Sequence, residues 1–232
     1  MGTMINVSSA DGTSIAAYEA RPAAAPKGAI VLLQEIFGVN SHIRAVADGY
    51  AAEGYYVLAP ATFQRAEPGV ELGYSPEDMQ RGMALKGAAE ALKPLLMQDV
   101  QAAINHAAKQ GQPAGSALKV GVMGYCWGGL LAWRAATTLA GVSAAVPYYG
   151  GGMHLELDHA PRCPTMAHLS DNDAYVPMDG VAALQKAHPA VQVHLYAAHH
   201  GFNCDQRASW NAEAAALART RTLAFFAQHL AA

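Results

Sequence analysis

Charge is scarce in this 232-residue chain: Asp, Glu, Lys and Arg make up 14% of it, and the formal net charge is only −3. So weak a field gives no grip on a polyanion, which excludes nucleic acid and anionic membrane surfaces as expected partners. Cysteine is scarce too. Its three residues (Cys126, Cys163, Cys204) form no disulfide framework for a chain this long, and their odd number fits a reducing compartment. No apolar run reaches the roughly 18 residues that a membrane span needs. The stretch from Met1 to Asp11 has no basic region followed by an apolar run, as a signal peptide would, so the expected location is the cytoplasm. Repeats, charge blocks and low-complexity linkers are missing as well, so residues 1–232 are expected to fold as one domain. What is abundant is hydrophobic side chains, at 52%. A chain of this size buries roughly 70% of its unfolded surface, and such a composition argues against disorder.

Short apolar runs alternate with helical periodicity. Ala29–Leu33 and Tyr56–Leu58 have strand length. Between them Ile43, Val46, Ala47, Tyr50 and Ala51 recur at helical spacing, with Asn40 or Ser41 as the cap. Strand, helix, strand in that order predicts a parallel βαβ unit. Ser75-Pro76-Glu77-Asp78 opens a second helical region, which Pro94 interrupts and Leu95 to Lys109 resumes. Further strands are expected at Lys119–Met123, Ala144–Tyr149, Thr165–Leu169 and Val191–Tyr196, and helices over Leu130–Leu139, Val181–Ala187 and the tail from Ala208 to Leu230. Leu217, Leu223, Phe226 and Leu230 form the tail's apolar stripe. An early pair around Ile5 and Ile15 reads as an antiparallel edge. The fold class is therefore α/β: a doubly wound, mostly parallel sheet with helices on both faces.

One junction carries chemistry. In Gly124-Tyr125-Cys126-Trp127-Gly128-Gly129 a buried strand meets Gly-x-Cys-x-Gly and a helix follows. This is the pattern of the nucleophile elbow of the α/β-hydrolase fold, with cysteine in place of serine. Small flanking residues let strand and helix approach at the strained turn. The amides at the helix start favour a thiolate there. The plain alternative is a buried apolar cysteine between two ordinary glycines.

The orienting acid and the base should follow in that order, each on a loop after a later strand. After Thr165–Leu169 come Asp171 and Asp173; after Val191–Tyr196 come His199 and His200. Asp173 is preferred because Val176-Pro177 would start the next helix and hold its loop, leaving Asp171 as a turn residue. His200, followed by Gly201-Phe202, is preferred as base, with His199 structural or lining the pocket. The chain order Cys, Asp, His matches.

These residues together resemble the dienelactone hydrolase family over nearly the whole chain. Gln34-Glu35-Ile36-Phe37-Gly38-Val39-Asn40, the elbow, Tyr148-Tyr149-Gly150, Asp173 with Val176-Pro177, and His200 with Phe202 carry the resemblance. It implies an α/β-hydrolase fold and a Cys126–His200–Asp173 triad. It also implies a Glu35 carboxylate that contacts the resting thiol and helps to activate it, and an Arg81 that binds a substrate carboxylate. The family's second carboxylate-binding arginine lies four residues beyond the histidine. Cys204 stands there in this chain; Arg207, the nearest arginine, is the candidate to bind substrate in its place through a shifted loop, the alternative being that the second contact is missing. Trp127 occupies a position expected to be aliphatic, and Leu85 and Ala88 stand where aromatic residues are associated with dienelactone binding.

The expected reaction is cleavage of a small ester or lactone by the Cys126 thiolate, with the backbone amides of Ile36 and Trp127 as oxyanion hole. It requires no metal or organic cofactor. A general carboxylesterase or thioesterase on the same scaffold is the nearest rival. The others are a binding protein that has lost catalysis, and a metal site drawn from His154, His159, Cys163 and His168 or from His194, His199, His200 and Cys204. Neither set has the tight repeated spacing of structural zinc.

Overall fold

A computed structural model describes residues 1–110 and 117–231. Its centre is β3 (Ala29–Leu33), whose five residues are all buried. Strand side chains alternate between faces, so Val31 and Leu33 enter one core while Ile30 and Leu32 enter another. This double burial explains why the strand reads as an unbroken apolar run. β4 (Tyr56–Pro60) and β5 (Val120–Tyr125) flank it in parallel, and β6 (Val142–Tyr148), β7 (Met166–Asn172) and β8 (Gln192–His199) continue the parallel sheet. β1 (Thr3–Ser8) and β2 (Ser14–Ala20) add the antiparallel edge expected around Ile5 and Ile15. The order is β1-β2-β4-β3-β5-β6-β7-β8.

Helices cover both faces. α1 (Ser41–Ala52) and α6 (Ala212–Leu230) pack Ile43, Ala47, Tyr50 and Phe226 on one side. α2 (Pro76–Ala91), α3 (Lys93–Ala108), α4 (Trp127–Thr138) and α5 (Met178–Ala187) pack Leu85, Val100, Leu131 and Leu184 on the other. The α/β-hydrolase architecture expected from the sequence is the one that forms. Asn40 caps α1 by accepting from the Ile43 N–H, and Ser75 caps α2.

Two local expectations shift. α3 starts at Lys93, before Pro94, because proline is tolerated in a first turn whose N–H groups have no helical partner. The buried stripe of α6 runs through Ala218, Thr222, Phe225, Phe226 and Leu230, whereas Leu217 is exposed. Ala and Thr fit the close approach to the sheet, and hydrophobicity alone misjudges which side faces it. Among the described residues, no helix is long and apolar enough to cross a membrane.

Candidate active site

Four parallel strands end at the same edge of the sheet, and the loops after them carry the side chains singled out above. Glu35 follows β3, Cys126 follows β5, Asp173 follows β7 and His200 follows β8. Carboxyl ends of parallel strands are where α/β sheets place their ligands. Cys126 and His200 line a cavity of about 200 Å³ there.

The elbow forms because β5 runs to Tyr125 and α4 starts at Trp127, leaving one residue to make the turn. That residue, Cys126, has φ 56° and ψ −119°, a left-handed backbone that costs of order 1–3 kcal/mol in a non-glycine residue. A Cβ on Gly124 would collide with the Gly128 carbonyl, and one on Gly128 with the Leu33 carbonyl. Both glycines of the motif are thus required by close approach. β5 runs to Tyr125, two residues beyond the expected end at Met123.

Asp173 is fully buried at its side chain. Its Oδ1 accepts from the Tyr175 N–H at 2.8 Å, and its Oδ2 lies 2.8 Å from His200 Nδ1. This bond fixes the imidazole and leaves Nε2, which is buried and has no hydrogen-bond partner among the described residues. Burial disfavours charge on His200, but the neighbouring Cys126 sulfur and the Asp173 carboxylate outweigh it and raise its pKa to about 10. Tyr149 and Tyr175 flank the ring, with centroids 5.1 and 4.7 Å away. Asp171 and His199, the alternatives, are exposed and line a separate surface hollow.

Ile36 and Trp127 line the cavity. Among the described residues neither backbone N–H has an acceptor; Trp127 is the first residue of α4, where helical N–H groups lack partners. Glu35, 1% exposed, accepts from Arg207 Nη1 at 3.0 Å and from the Tyr74 hydroxyl at 3.5 Å. Arg207 lies over the Phe37 and Tyr74 rings and reaches the cavity wall. Burial weakens its charge, yet Glu35 and Cys126 raise its pKa above the ordinary arginine value.

The structure does not bring Arg81 to this cavity. It is half-exposed on α2 and paired with Glu67. The face of α2 that does line the cavity carries Met79, Met83 and Lys86, at helical spacing of four and three. Leu85 instead lies in the core and Ala88 faces solvent. Sequence reading missed these three, and also His154 and Tyr175 on the wall, because helix phase and loop path decide which residues face a pocket. Trp127 has a reason to be large. Its Nε1 donates to Glu90 Oε1 at 2.6 Å and its ring stacks on Phe63, so the elbow helix is tied to α2.

Among the described residues, neither histidine and cysteine set considered for metal brings three ligand atoms together. His168 has its nitrogens 2.7 Å from the Tyr196 hydroxyl and 3.0 Å from Thr222 Oγ1. Among the described residues, the side chains placed to share an ion are Glu35, His42 and Cys204.

The family model described as "Dienelactone hydrolase family" matches residues 15–230. A carboxymethylenebutenolidase of Pseudomonas putida is 36% identical, covering 96% of this chain and 95% of its own. One from Pseudomonas sp. strain P51 is 31% identical, covering 94% and 92%. Among solved structures, a provisionally named dienelactone hydrolase from Klebsiella pneumoniae superposes with a TM-score of 0.83 at 29% identity over 98% of each chain. The Pyrococcus furiosus esterase Pf2001, at 12% identity and a TM-score of 0.71, covers 99% of this chain and 93% of its own and shares the fold.

Proposed function

Because this chain belongs to the dienelactone hydrolase family, hydrolases of esters and lactones, we propose that it cleaves small enol lactones or activated esters through a Cys126–His200–Asp173 triad. The observation that carries this is the strained Cys126 on the wall of a cavity shared with His200, whose far nitrogen is held by a buried Asp173.

His200 Nε2 takes the thiol proton while Asp173 keeps the imidazole oriented and stabilises its charged form. The sulfur attacks the carbonyl carbon, and the oxyanion receives the Ile36 and Trp127 N–H groups. Collapse expels the enolate or alkoxide, protonated by His200, and leaves a thioester on Cys126. Water, deprotonated by His200, then releases the acid and restores the thiol.

Cysteine narrows the substrate. A thiolate leaves the tetrahedral intermediate more readily than an alkoxide, so attack on a plain alkyl ester reverses. An enolate leaves well enough for forward collapse to compete. If the substrate bears a carboxylate, Lys86 and Arg207 are the cationic groups on the wall to meet it. The apolar side chains of Met79, Met83 and Leu155 on the same wall favour a second reading, a general esterase for neutral acyl groups.

Comparing kcat/KM for an enol lactone, an aryl ester and a series of alkyl esters separates the two. Preference for the lactone by a factor of ten or more supports the first reading; activity rising with alkyl chain length supports the second.

A further inference from the structure

Glu35, His42 and Cys204 come from the loop after β3, the first turn of α1 and the loop after His200. One ligating atom of each lies within 4.8 Å of the others. All three are buried, at 1%, 3% and 0% exposure. Carboxylate, imidazole and thiol together suit a borderline-soft divalent cation such as Zn2+, which three protein ligands hold with a fourth position open.

A second observation points the same way. His42 Nε2 is buried without a hydrogen-bond partner among the described residues, while Nδ1 lies 3.3 Å from Asp205 Oδ1. A carboxylate on one ring nitrogen fixes the tautomer and presents the other lone pair, as in the carboxylate–histidine–metal arrangement. Left alone, a buried imidazole nitrogen without a partner is costly. A cation satisfies it. Zinc bonds of about 2.3 Å to sulfur and about 2.0 Å to nitrogen place tetrahedral ligands roughly 3.5 Å apart, so movements of about 1 Å complete the site. His42 and Asp205 also line a cleft of about 360 Å³ beside α1 and α6.

We propose that Glu35, His42 and Cys204 bind one Zn2+-type cation. The binding stands on these side chains alone and does not depend on the triad reading above. Binding breaks the Cys204 S–H bond and forms a sulfur–metal bond, so one proton leaves and nothing is oxidised or reduced.

Cys126 with His200 is a competing thiophilic pair, so the test begins with a Cys126→Ala, Cys163→Ala chain titrated with Co2+. Expected are one bound equivalent, the thiolate-to-cobalt absorption of a tetrahedral site, and displacement by Zn2+. Adding Cys204→Ser abolishes the absorption, and the exposed-residue change Asp205→Asn weakens binding by about tenfold through His42. Failure of the Cys126→Ala, Cys163→Ala chain to bind, or binding indifferent to Cys204→Ser in a chain of unchanged melting temperature, overturns the site. An enzyme inert toward every ester still reports on the site through cobalt.

Discussion

Arg207 donates to Glu35 across 3.0 Å, joining residues 172 positions apart in the chain. The carboxylate is 1% and the guanidinium 15% exposed at the side chain, so neither has water enough to replace the other. Removing one partner of a buried pair costs about 3–5 kcal/mol because the survivor is left charged. Arg207→Met should lower unfolding stability by about 3 kcal/mol. The double change Arg207→Met with Glu35→Gln should recover most of it. Urea unfolding of the four proteins in this cycle provides the check; additive losses would show that the pair is not coupled.

Asp173→Asn keeps the shape of the acid but presents the wrong hydrogen-bonding partner to His200 Nδ1. By the logic of the serine triad, kcat should drop by about a thousandfold or more, with KM little changed. Steady-state kinetics decides, and an Asp173→Asn enzyme within about tenfold of the parent would remove Asp173 from the triad.

Lys86 on the cavity wall and Arg81 outside it make opposite predictions for a carboxylate-bearing substrate. Lys86→Met should raise KM for that substrate about tenfold, the equivalent of 1.4 kcal/mol, and leave a neutral ester unaffected. Arg81→Ala should change neither. The reverse pattern would mean that α2 turns or slides when substrate binds.

Much of this architecture is legible because two physical signals are local. β3 is buried on both faces and reads as an apolar run; the elbow needs Gly124 and Gly128 on steric grounds and so leaves a motif. The chain order of Cys126, Asp173 and His200 follows from the order of the strands they follow. What cannot be read is phase and path. Arg81 and Lys86 are neighbours on one helix, and only the packing of Leu85 into the core decides which faces the cavity. Likewise Cys204 looks like one more histidine-region thiol in sequence, and tertiary folding alone sets it beside Glu35 and His42.

Two histidines give stability a pH dependence of opposite sign. His168 is buried, and burial together with the charges of His194 and Arg221 holds its pKa well below the ordinary 6.5. Its contribution is present above pH 6.5 and is lost as pH falls, because the unfolded chain takes up the proton first. His200, raised from 6.5 to about 10, contributes below pH 6.5 and loses that contribution as pH rises toward 10. Melting temperature should therefore fall less between pH 6.5 and 5 in His168→Asn than in the parent. It should fall less between pH 7 and 10 in His200→Asn. Parallel curves in either comparison would contradict the assignment for that residue.

Arg134 is 9% exposed at its side chain and lies 2.7 Å from both Glu90 and Glu156. Glu90 also accepts from Trp127, so this arginine braces the elbow helix against α2. Arg134→Met should destabilise the protein by about 2–4 kcal/mol, the partial exposure of both glutamates softening the loss. Thermal unfolding measures it, and a change under about 0.5 kcal/mol, the range of an ordinary surface substitution, would show that the network holds nothing.

The role of Cys126 is tested most directly by mixing enzyme with an activated aryl ester and following both product and intact mass, for the parent and for Cys126→Ala. A burst of alcohol product, a mass increase equal to the acyl group in the parent, and neither in Cys126→Ala is the expected result. Undiminished turnover by Cys126→Ala would contradict the nucleophile assignment, and with it the triad.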